Sequence, residues 1–198
     1  MSALPNRDRQ AERREATRRE IVEAAWEIAR RDGLGAVTLR EVAAMIGMRS
    51  PSLYSHFESK NAIYDAMFGD AWTGYLAEAT EAAKTLPDDP RAALEAIAEH
   101  FFDFSVADLA RYQLMNQRSI PGFVPSEGAY APSVETMALL HRTMRTIGIT
   151  DEADIDLFLA ITGGLVDCQL ANDHGGDRWR RLLPRAIEMY ADNVWRQS

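Results

Sequence analysis

The stretch TLREVAAMIGMRSPSLYSHFESK, residues 38–60, decides the fold, because it holds two short helical patterns separated by only a few residues. Thr38 opens a capping-box pattern, and Gly47 is suited to the left-handed conformation in which helices commonly end. Ser50 followed by Pro51 is typical of an N-cap and the first helical position, so the next helix is expected to begin at once. Helices joined by so short a turn cross steeply, and the pattern predicts a helix-turn-helix.

The second of these helices, which we expect to occupy residues 49–60, carries polar side chains where a core helix would carry aliphatic ones. Leu53 and Phe57 are four residues apart and can pack on the preceding helices. Short or rigid polar side chains of this kind can reach base edges and phosphates from the major groove of DNA, with Lys60 just beyond for a phosphate. The side chains expected to face DNA are Ser52, Tyr54, Ser55 and His56.

An earlier helix precedes this motif. Thr17 begins a further capping-box pattern, an apolar stripe follows, and Gly33 is expected to end the helix. Residues 7–19 contain six arginines mixed with acidic side chains. This run is either a solvated mixed-charge face or a basic contribution to DNA binding, and the sequence leaves both interpretations open.

Composition and charge indicate a globular protein with two different surfaces. The 198 residues are 46% hydrophobic and 26% charged, which is ordinary for a folded domain. The net charge is −8, but residues 1–60 hold 11 basic against 9 acidic side chains, whereas the remainder hold 11 against 21. The acidic excess therefore lies outside the helix-turn-helix region, and the two parts are expected to meet different partners.

Several classes of protein are disfavoured. The longest apolar stretch, Leu157 to Val166, is far shorter than the ~20 residues of a membrane span, so we expect a cytoplasmic protein without membrane contact. The single Cys168 excludes an internal disulfide and a zinc site built from several thiolates. No phosphate loop, dinucleotide motif or nucleophile with its base is recognisable, so we expect no enzymatic activity, catalytic residues, metal or cofactor.

The run TLREVAAMIGMRSPSLYSHFESKNAIYDA, residues 38–66, resembles the DNA-binding domain of the TetR family of bacterial transcriptional regulators. The shared pattern is a Thr-capped helix, Ala-x-x-x-Gly into the turn, Leu-Tyr-x-His-Phe, and Ser-Lys before the next helix. The resemblance covers roughly residues 15–75 without a gap. Arg49 and Pro51 depart from the usual residues, which leaves the base preference open. The resemblance implies operator contacts by Thr38, Arg40, Arg49, Ser50, Ser52, Tyr54, His56 and Lys60.

The expected architecture is all-α, with about nine helices and no convincing strand or repeat. Residues 1–14 would form a mixed-charge N-terminal arm. Residues 15–75 would form the DNA-binding domain, with the helix-turn-helix at about 38–57. Residues 76–198 would form a C-terminal ligand-binding and dimerisation domain, linked to the first by a long fourth helix.

The acidic C-terminal part is rich in aromatic residues and methionines. Such side chains are most often ordinary core, but the resemblance implies a cavity for a small effector, expected to be largely apolar and neutral or cationic. The Pro- and Gly-bearing segment SIPGFVPSEGAYAP, residues 119–132, is expected to be a loop that could cover this cavity with Phe123 and Tyr130. The candidate ligand-binding residues are Trp72, Tyr75, Phe104, Tyr112, Met115, Arg118, Phe123, Met137, His141, Met144, Thr162 and Gln169, with Asp167 as a further polar candidate.

The end of the chain indicates a homodimer. The segment from Ile155 to Leu170 is apolar around most of its circumference, which implies a second packing partner outside the subunit. Glycines inside a helix cost about 1 kcal/mol each, and close backbone approach is the usual reason for them. We expect the last two helices to pair with their symmetry mates through Gly163, Gly164, Val166, Trp179, Leu183, Tyr190 and Val194.

Together these patterns favour a ligand-responsive, DNA-binding transcriptional regulator. We expect it to be a repressor that its effector releases from a palindromic operator. Two alternatives stay open. The chain could be an α-helical interaction module that keeps the helix-turn-helix only as a fold element, or, less consistently with its motifs, an enzyme.

Overall fold

The computed structural model describes the backbone of residues 5–196 and the side chains from residue 9 to residue 196. In this part of the chain every regular element is helical, which confirms the all-α prediction with nine α-helices. The α-helices are α1 (Pro5–Asp32), α2 (Leu39–Met45), α3 (Ser50–Leu53), α4 (Lys60–Ala83), α5 (Pro90–Ala107), α6 (Leu109–Asn116), α7 (Glu127–Thr146), α8 (Glu152–Asn172) and α9 (Leu183–Arg196), with short 3-10 turns at Leu34–Ala36 and Arg180–Leu182.

The chain folds into two compact units. The first combines the residues up to Ala71 with Gln113–Tyr130, and the second combines Trp72–Tyr112 with the residues from Ala131 onward. The first unit is therefore discontinuous in sequence, because a segment from the middle of the chain joins the N-terminal helices. None of the helices in residues 5–196 is both long enough and apolar enough to cross a membrane.

Helix α1 is longer than its sequence pattern indicated. It begins at Pro5, and Thr17 lies inside it, where the hydroxyl donates a hydrogen bond to the Arg13 carbonyl at 3.0 Å. The prediction that Thr17 begins this helix was wrong, because a threonine within a helix can bond back to the carbonyl four residues earlier. The end of α1 was predicted correctly: Gly33 follows it with a φ of 87°, in the left-handed region.

The core of the first unit forms where α1, α2 and α3 meet the start of α4. Apolar side chains at helical spacing turn inward from each of these helices, and the two residues predicted to anchor the recognition segment, Leu53 and Phe57, are both buried. The other large buried side chains are Ile21, Trp26, Ile28, Leu34, Val37, Val42, Ile63, Tyr64 and Met67. The burial of one face of each helix leaves the opposite faces of α2 and α3 available to a partner.

The second unit is built on α5, α8 and α9, which pack around one continuous apolar cluster. Leu94 and Phe102 of α5 and Phe158 and Val166 of α8 are almost fully buried in it. Tyr190 of α9 buries its ring there and donates its hydroxyl hydrogen to the Asp154 carbonyl at 2.9 Å.

Helix α7 begins inside the segment that was expected to be a loop up to Pro132. It starts at Glu127, because Ser126 accepts a hydrogen bond from the Ala129 amide at 3.2 Å and so satisfies a free donor of the first turn. Pro132 lies within the helix. The expected loop was therefore too long by about one and a half turns, since prolines near a helix start interrupt few helical hydrogen bonds.

Candidate functional site

Helix α2 is held at both ends by local hydrogen bonds that the sequence predicted. The Thr38 hydroxyl accepts from the Glu41 amide at 3.1 Å and donates to the Glu41 carboxylate at 3.0 Å. At the other end, the Met48 amide bonds to the Ala43 carbonyl at 2.8 Å, and Gly47 has a φ of 68°. This Schellman-type ending needs a left-handed residue, which glycine provides without strain. The turn between α2 and α3 is thereby fixed.

Helix α3 is only four residues long and begins one residue earlier than the sequence predicted, since Ser50 was expected to be the N-cap and Pro51 the first helical residue. Arg49 is the N-cap in extended conformation, so Ser50 is the first helical residue and Pro51 the second. Proline is tolerated there because the first four helical amides have no acceptor within the helix. Beyond Leu53 the chain continues as a turn in which the His56 amide bonds to the Leu53 carbonyl at 2.9 Å. The expected helix over residues 49–60 is thus one helical turn and a following turn.

The eight predicted operator contacts extend from Thr38, the N-cap of α2, through α3 and the turn that follows it, to Lys60, the first residue of α4. Tyr54 is the large aromatic among them, and 56% of it is exposed. Thr38, Arg40, Arg49 and Ser52 are also exposed, while Ser50, His56 and Lys60 are half-buried. These positions form the candidate nucleic-acid surface, and their DNA contacts remain a prediction.

Lys60 has an additional role inside the chain. Its ammonium donates to the Gly35 carbonyl at 2.9 Å and lies 5.1 Å from the centre of the Tyr64 ring. The Tyr64 hydroxyl donates to the adjacent Leu34 carbonyl at 2.5 Å. The start of α4 is therefore tied to the turn between α1 and α2. An ammonium has three N–H donors, so two remain for a phosphate.

The segment that precedes α7 packs on the first half of α4, within the first unit. The Ser126 amide and hydroxyl donate to the two carboxylate oxygens of Asp65 at 2.6 and 2.7 Å. Phe123 meets the rings of Tyr64 and Phe68 edge-on, with centres 5.7 and 6.4 Å apart. Tyr130 stacks on Phe68 at 6.2 Å. Phe123 and Tyr130, which were expected to cover a cavity, thus contact α4. The sequence contained no signal for the hydrogen bonds between Asp65 and Ser126.

An aromatic cluster in the second unit brings together three of the candidate ligand-binding residues. The Tyr75 ring lies 4.6 Å from that of Phe104 and 6.1 Å from that of Trp72, measured between ring centres. It stacks on the imidazole of His100 at 5.7 Å, and Phe101 lies edge-on at 6.3 Å. Burial, and to a smaller extent the nearby Glu78 carboxylate, raises the pKa of Tyr75, so the phenol stays neutral. The His100 Nε2 atom is buried and has no hydrogen-bond partner among residues 9–196.

Three further polar ligand candidates of the second unit are engaged in internal hydrogen bonds. Tyr112 donates to the Asp167 carboxylate at 3.0 Å, and burial together with that carboxylate raises the pKa of Tyr112. Thr162 donates to the Phe158 carbonyl at 2.9 Å. The Gln169 side-chain carbonyl accepts from the Trp179 amide at 2.9 Å.

The other candidates differ in burial and in the unit to which they belong. Met144 lies in the core of the second unit, and Met137 and His141 are half-buried on α7. Met115 and Arg118 belong to the first unit. The role of the twelve ligand candidates remains a prediction.

The candidate dimer residues fall into two groups. Buried in the chain's own core are Val166, Leu183, Tyr190 and Val194. Gly164 is exposed, with open space where a Cβ atom would lie, whereas Gly163 and Trp179 are half-buried. Large exposed apolar side chains lie on α8 and beside and on α9: Leu157 (43% exposed), Leu182 (41%) and Met189 (65%). The outward-facing apolar side chains of this region are therefore residues other than the buried four.

From residue 9 to residue 196, no three His, Cys, Asp or Glu side chains are grouped so that they could hold an ion. The candidate functional regions are the polar surface of α2 and α3 and the aromatic cluster around Tyr75.

Comparison with known proteins gives a matching family for the helix-turn-helix region. Residues 21–67 match the model of the family described as bacterial regulatory proteins, tetR family. The HTH-type transcriptional activator FasR of Mycolicibacterium smegmatis is 32% identical over 102 residues, which is 52% of this chain and 46% of that protein. The match therefore spans about half the length of that relative.

Solved structures share the fold over almost the whole chain. A TetR family transcription regulator from Marinobacter aquaeolei VT8 is 15% identical, with a TM-score of 0.67 over 93% of this chain and 98% of that chain. The transcriptional regulator FadR from Bacillus subtilis, in complex with stearoyl-CoA, is 15% identical, with a TM-score of 0.63 over 86% of this chain and 96% of that chain. The matched family consists of transcriptional regulators and not of enzymes. The helix-turn-helix region, residues 21–67, thus matches the tetR family of bacterial regulatory proteins, and the whole chain shares the fold of regulators of that family.

Proposed function

We propose that the protein is a cytoplasmic, ligand-responsive transcriptional regulator that binds a pseudo-palindromic operator as a homodimer. The observation that carries this proposal is the exposed polar surface of α2 and α3 on a buried apolar base, with Tyr54 projecting from it. In the major groove, Ser52 and Tyr54 would meet base edges, and Arg40 and Lys60 would neutralise phosphates. Sequence selectivity would then come from the short helix and overall affinity from the flanking cations.

The proposed dimer follows from the size of the recognition surface. A single α3 of four residues can contact only a few base pairs, and a two-fold dimer doubles the site. The exposed apolar side chains of Leu157, Leu182 and Met189, with the uncovered Gly164 backbone, supply a face for an isologous interface.

The proposed effector is a small, largely apolar molecule that contacts the aromatic cluster around Tyr75. Supporting it are the rings of Trp72, Phe101 and Phe104, and the buried His100 Nε2 atom, which could bond one polar group of such a molecule. The similar fold of FadR in complex with stearoyl-CoA favours a ligand with a long apolar part. The effector would lower operator affinity by a coupling free energy of roughly 1–3 kcal/mol, through different affinities for two conformations.

Two directions of regulation are candidates. Repression, with release by the effector, is our first proposal, because it requires only occupancy of the promoter. The similarity to FasR, which is named an activator, favours activation as the second. Transcription in vitro from a promoter that contains the selected operator separates them: added protein lowers transcript yield if it represses and raises it if it activates.

A selection from a random DNA library with the purified protein tests the central proposal. We expect a recovered site with two inverted half-sites about one helical turn of DNA apart, bound more weakly as salt rises. An α-helical interaction module would recover no common sequence and show no salt-dependent affinity, and that result would reject the proposal. Titration of the selected operator with fatty acyl compounds of increasing length then tests the apolar effector.

A further inference from the structure

The recognition element, defined here as residues 50–57, has little rigidity of its own. One helical turn is too short to be stable in isolation, and carbonyl groups at its end cannot all be satisfied from within it. Its position on the domain must therefore be fixed by contacts with other helices. Leu53 and Phe57 supply apolar contacts, but apolar burial alone does not fix the orientation of the last turn.

Two arginines of α1 contact this last turn directly. Arg18 donates from Nη1 to the His56 carbonyl, and its guanidinium carbon lies 4.0 Å from the centre of the Phe57 ring. Arg14 donates from Nη2 to the Ser55 carbonyl at 3.3 Å. The two arginines are four residues apart, so they lie on the same face of α1. Charged donors on carbonyls and a cation over an aromatic ring are directional contacts, which apolar packing is not.

The surroundings of Arg18 are unsuited to a DNA phosphate. A groove beside Phe57 contains Arg18 and Arg19, but also four carboxylates that would repel a phosphate. These carboxylates belong to Glu15, Glu20, Glu23 and Asp70. The half-buried Arg18 is thus placed to act within the protein rather than on the nucleic acid.

We infer that Arg14 and Arg18 are positioning residues that orient the end of the recognition element on α1 and thereby set the sequence selectivity of the protein. The inference rests on the proposed DNA binding. It assigns two members of the mixed-charge N-terminal run a function distinct from both a solvated face and a phosphate contact.

The test compares Arg18→Ala, Arg18→Lys and Arg14→Ala with the matched control Arg19→Ala, an exposed arginine beside Arg18. Affinity for the selected operator and for a non-specific duplex is measured at several salt concentrations. We expect Arg18→Ala to bind the operator roughly tenfold more weakly, since hydrogen bonds to charged groups are among the stronger ones, with non-specific binding and salt slope unchanged. Arg18→Lys should restore part of the loss, and Arg14→Ala should lose selectivity to a smaller extent.

Two results would overturn the inference. In the first, Arg18→Ala has a salt slope smaller by about 0.9 and an equal loss of affinity for every sequence, which identifies a phosphate contact. In the second, both Arg14→Ala and Arg18→Ala keep wild-type sequence selectivity, which excludes a role of these arginines in selectivity. Circular dichroism accompanies each titration; if Arg18→Ala does not fold, Arg14→Ala, which removes one exposed hydrogen bond, decides the outcome. A wild-type protein that selects no sequence would instead reject the proposed function itself.

Discussion

Lys60 and Tyr54 represent two kinds of DNA contact that single substitutions can separate. Lys60→Ala should weaken binding to all sequences similarly and lower the salt slope by about one, because one phosphate contact is lost. Tyr54→Ala should weaken binding and, in addition, change which DNA sequence is preferred, since the exposed Tyr54 ring faces base edges in our proposal. Binding titrations on the operator and on single-base variants measure both effects. Wild-type DNA affinity in both variants would mean that α3 does not enter the groove.

At this scale the sequence predicted side-chain types better than side-chain partners. Thr38 and Gly47 were interpreted correctly because a cap or a left-handed turn depends on residues within a few positions. Lys60 bonds to Gly35, and Arg18 to His56, across 25 and 38 residues. No local sequence pattern encodes such pairs. A lysine or arginine on the surface therefore cannot be distinguished in the sequence from one that donates a hydrogen bond to a distant part of the fold.

At the scale of elements, the segment before α7 is expected to stabilise α4 through Phe123. Phe123→Ala should lower the free energy of unfolding by about 2 kcal/mol, less than for a fully buried phenylalanine because the ring is half-buried. Val124→Ala is the matched control: it changes the adjacent residue, whose side chain is 82% exposed, and should be nearly neutral. Chemical denaturation measures both. Equal stability of the two variants would show that this segment does not pack on α4 in solution.

The loop after α8 is expected to be sensitive to acid. Two hydrogen bonds lower the pKa of the Asp173 carboxyl group: the larger effect comes from the backbone amide of Arg178 and the smaller from the side-chain amide of Gln169. Because the carboxyl group has a lower pKa in the folded than in the unfolded protein, it stabilises the fold at pH values above its unfolded pKa of about 3.9. This stabilisation is lost as the pH falls through the pKa of the folded state. Asp173→Ala should therefore be less stable than wild type at pH 7, with a difference that narrows below about pH 4. The unfolding temperatures of wild type, Asp173→Ala and the control Asp88→Ala, measured at several pH values, test this. A difference between wild type and Asp173→Ala that is the same at every pH would contradict the prediction.

Element boundaries were predictable where a stop signal is unambiguous. Gly33 ended α1 as expected, whereas Thr17 was misread because a threonine three residues before a glutamate occurs both at helix starts and inside helices. The start of α7 was missed because Pro- and Gly-rich sequence favours a loop, while Ser126 and Asp65 are 61 residues apart. Only the folded arrangement of these segments distinguishes the alternatives.

At the scale of the whole molecule, the proposed dimer can be disrupted at one exposed glycine. Gly164→Leu should fold, since leucine favours a helix by about 1 kcal/mol over glycine and the site is open. The added side chain should separate the subunits or displace their recognition helices, so operator binding should fall. Gly128→Leu, the same change at another exposed helical glycine with open space, is the control.

Light scattering in parallel with DNA titration measures this effect. A Gly164→Leu protein that stays dimeric and binds the operator normally would place the interface elsewhere, and a monomeric wild type would reject the dimer. The sequence predicted an outward apolar face on the last helices but assigned several buried residues to it. Val166 and Tyr190 serve the subunit's own core, because hydrophobic character alone does not tell which partner a residue packs against.

The close approach of α7 to α4 restricts how hybrid regulators can be made from this protein. A Cβ atom on Gly69 would lie 3.3 Å from the Ala129 Cα atom, so the two backbones approach more closely than a side chain at this position normally allows. A hybrid that joins residues 1–75 to the body of a relative would keep Gly69 and Asp65 but replace the segment that complements them. Transplanting residues 113–130 together with the N-terminal part would preserve that complementarity, so the exchangeable module is two pieces of chain rather than one.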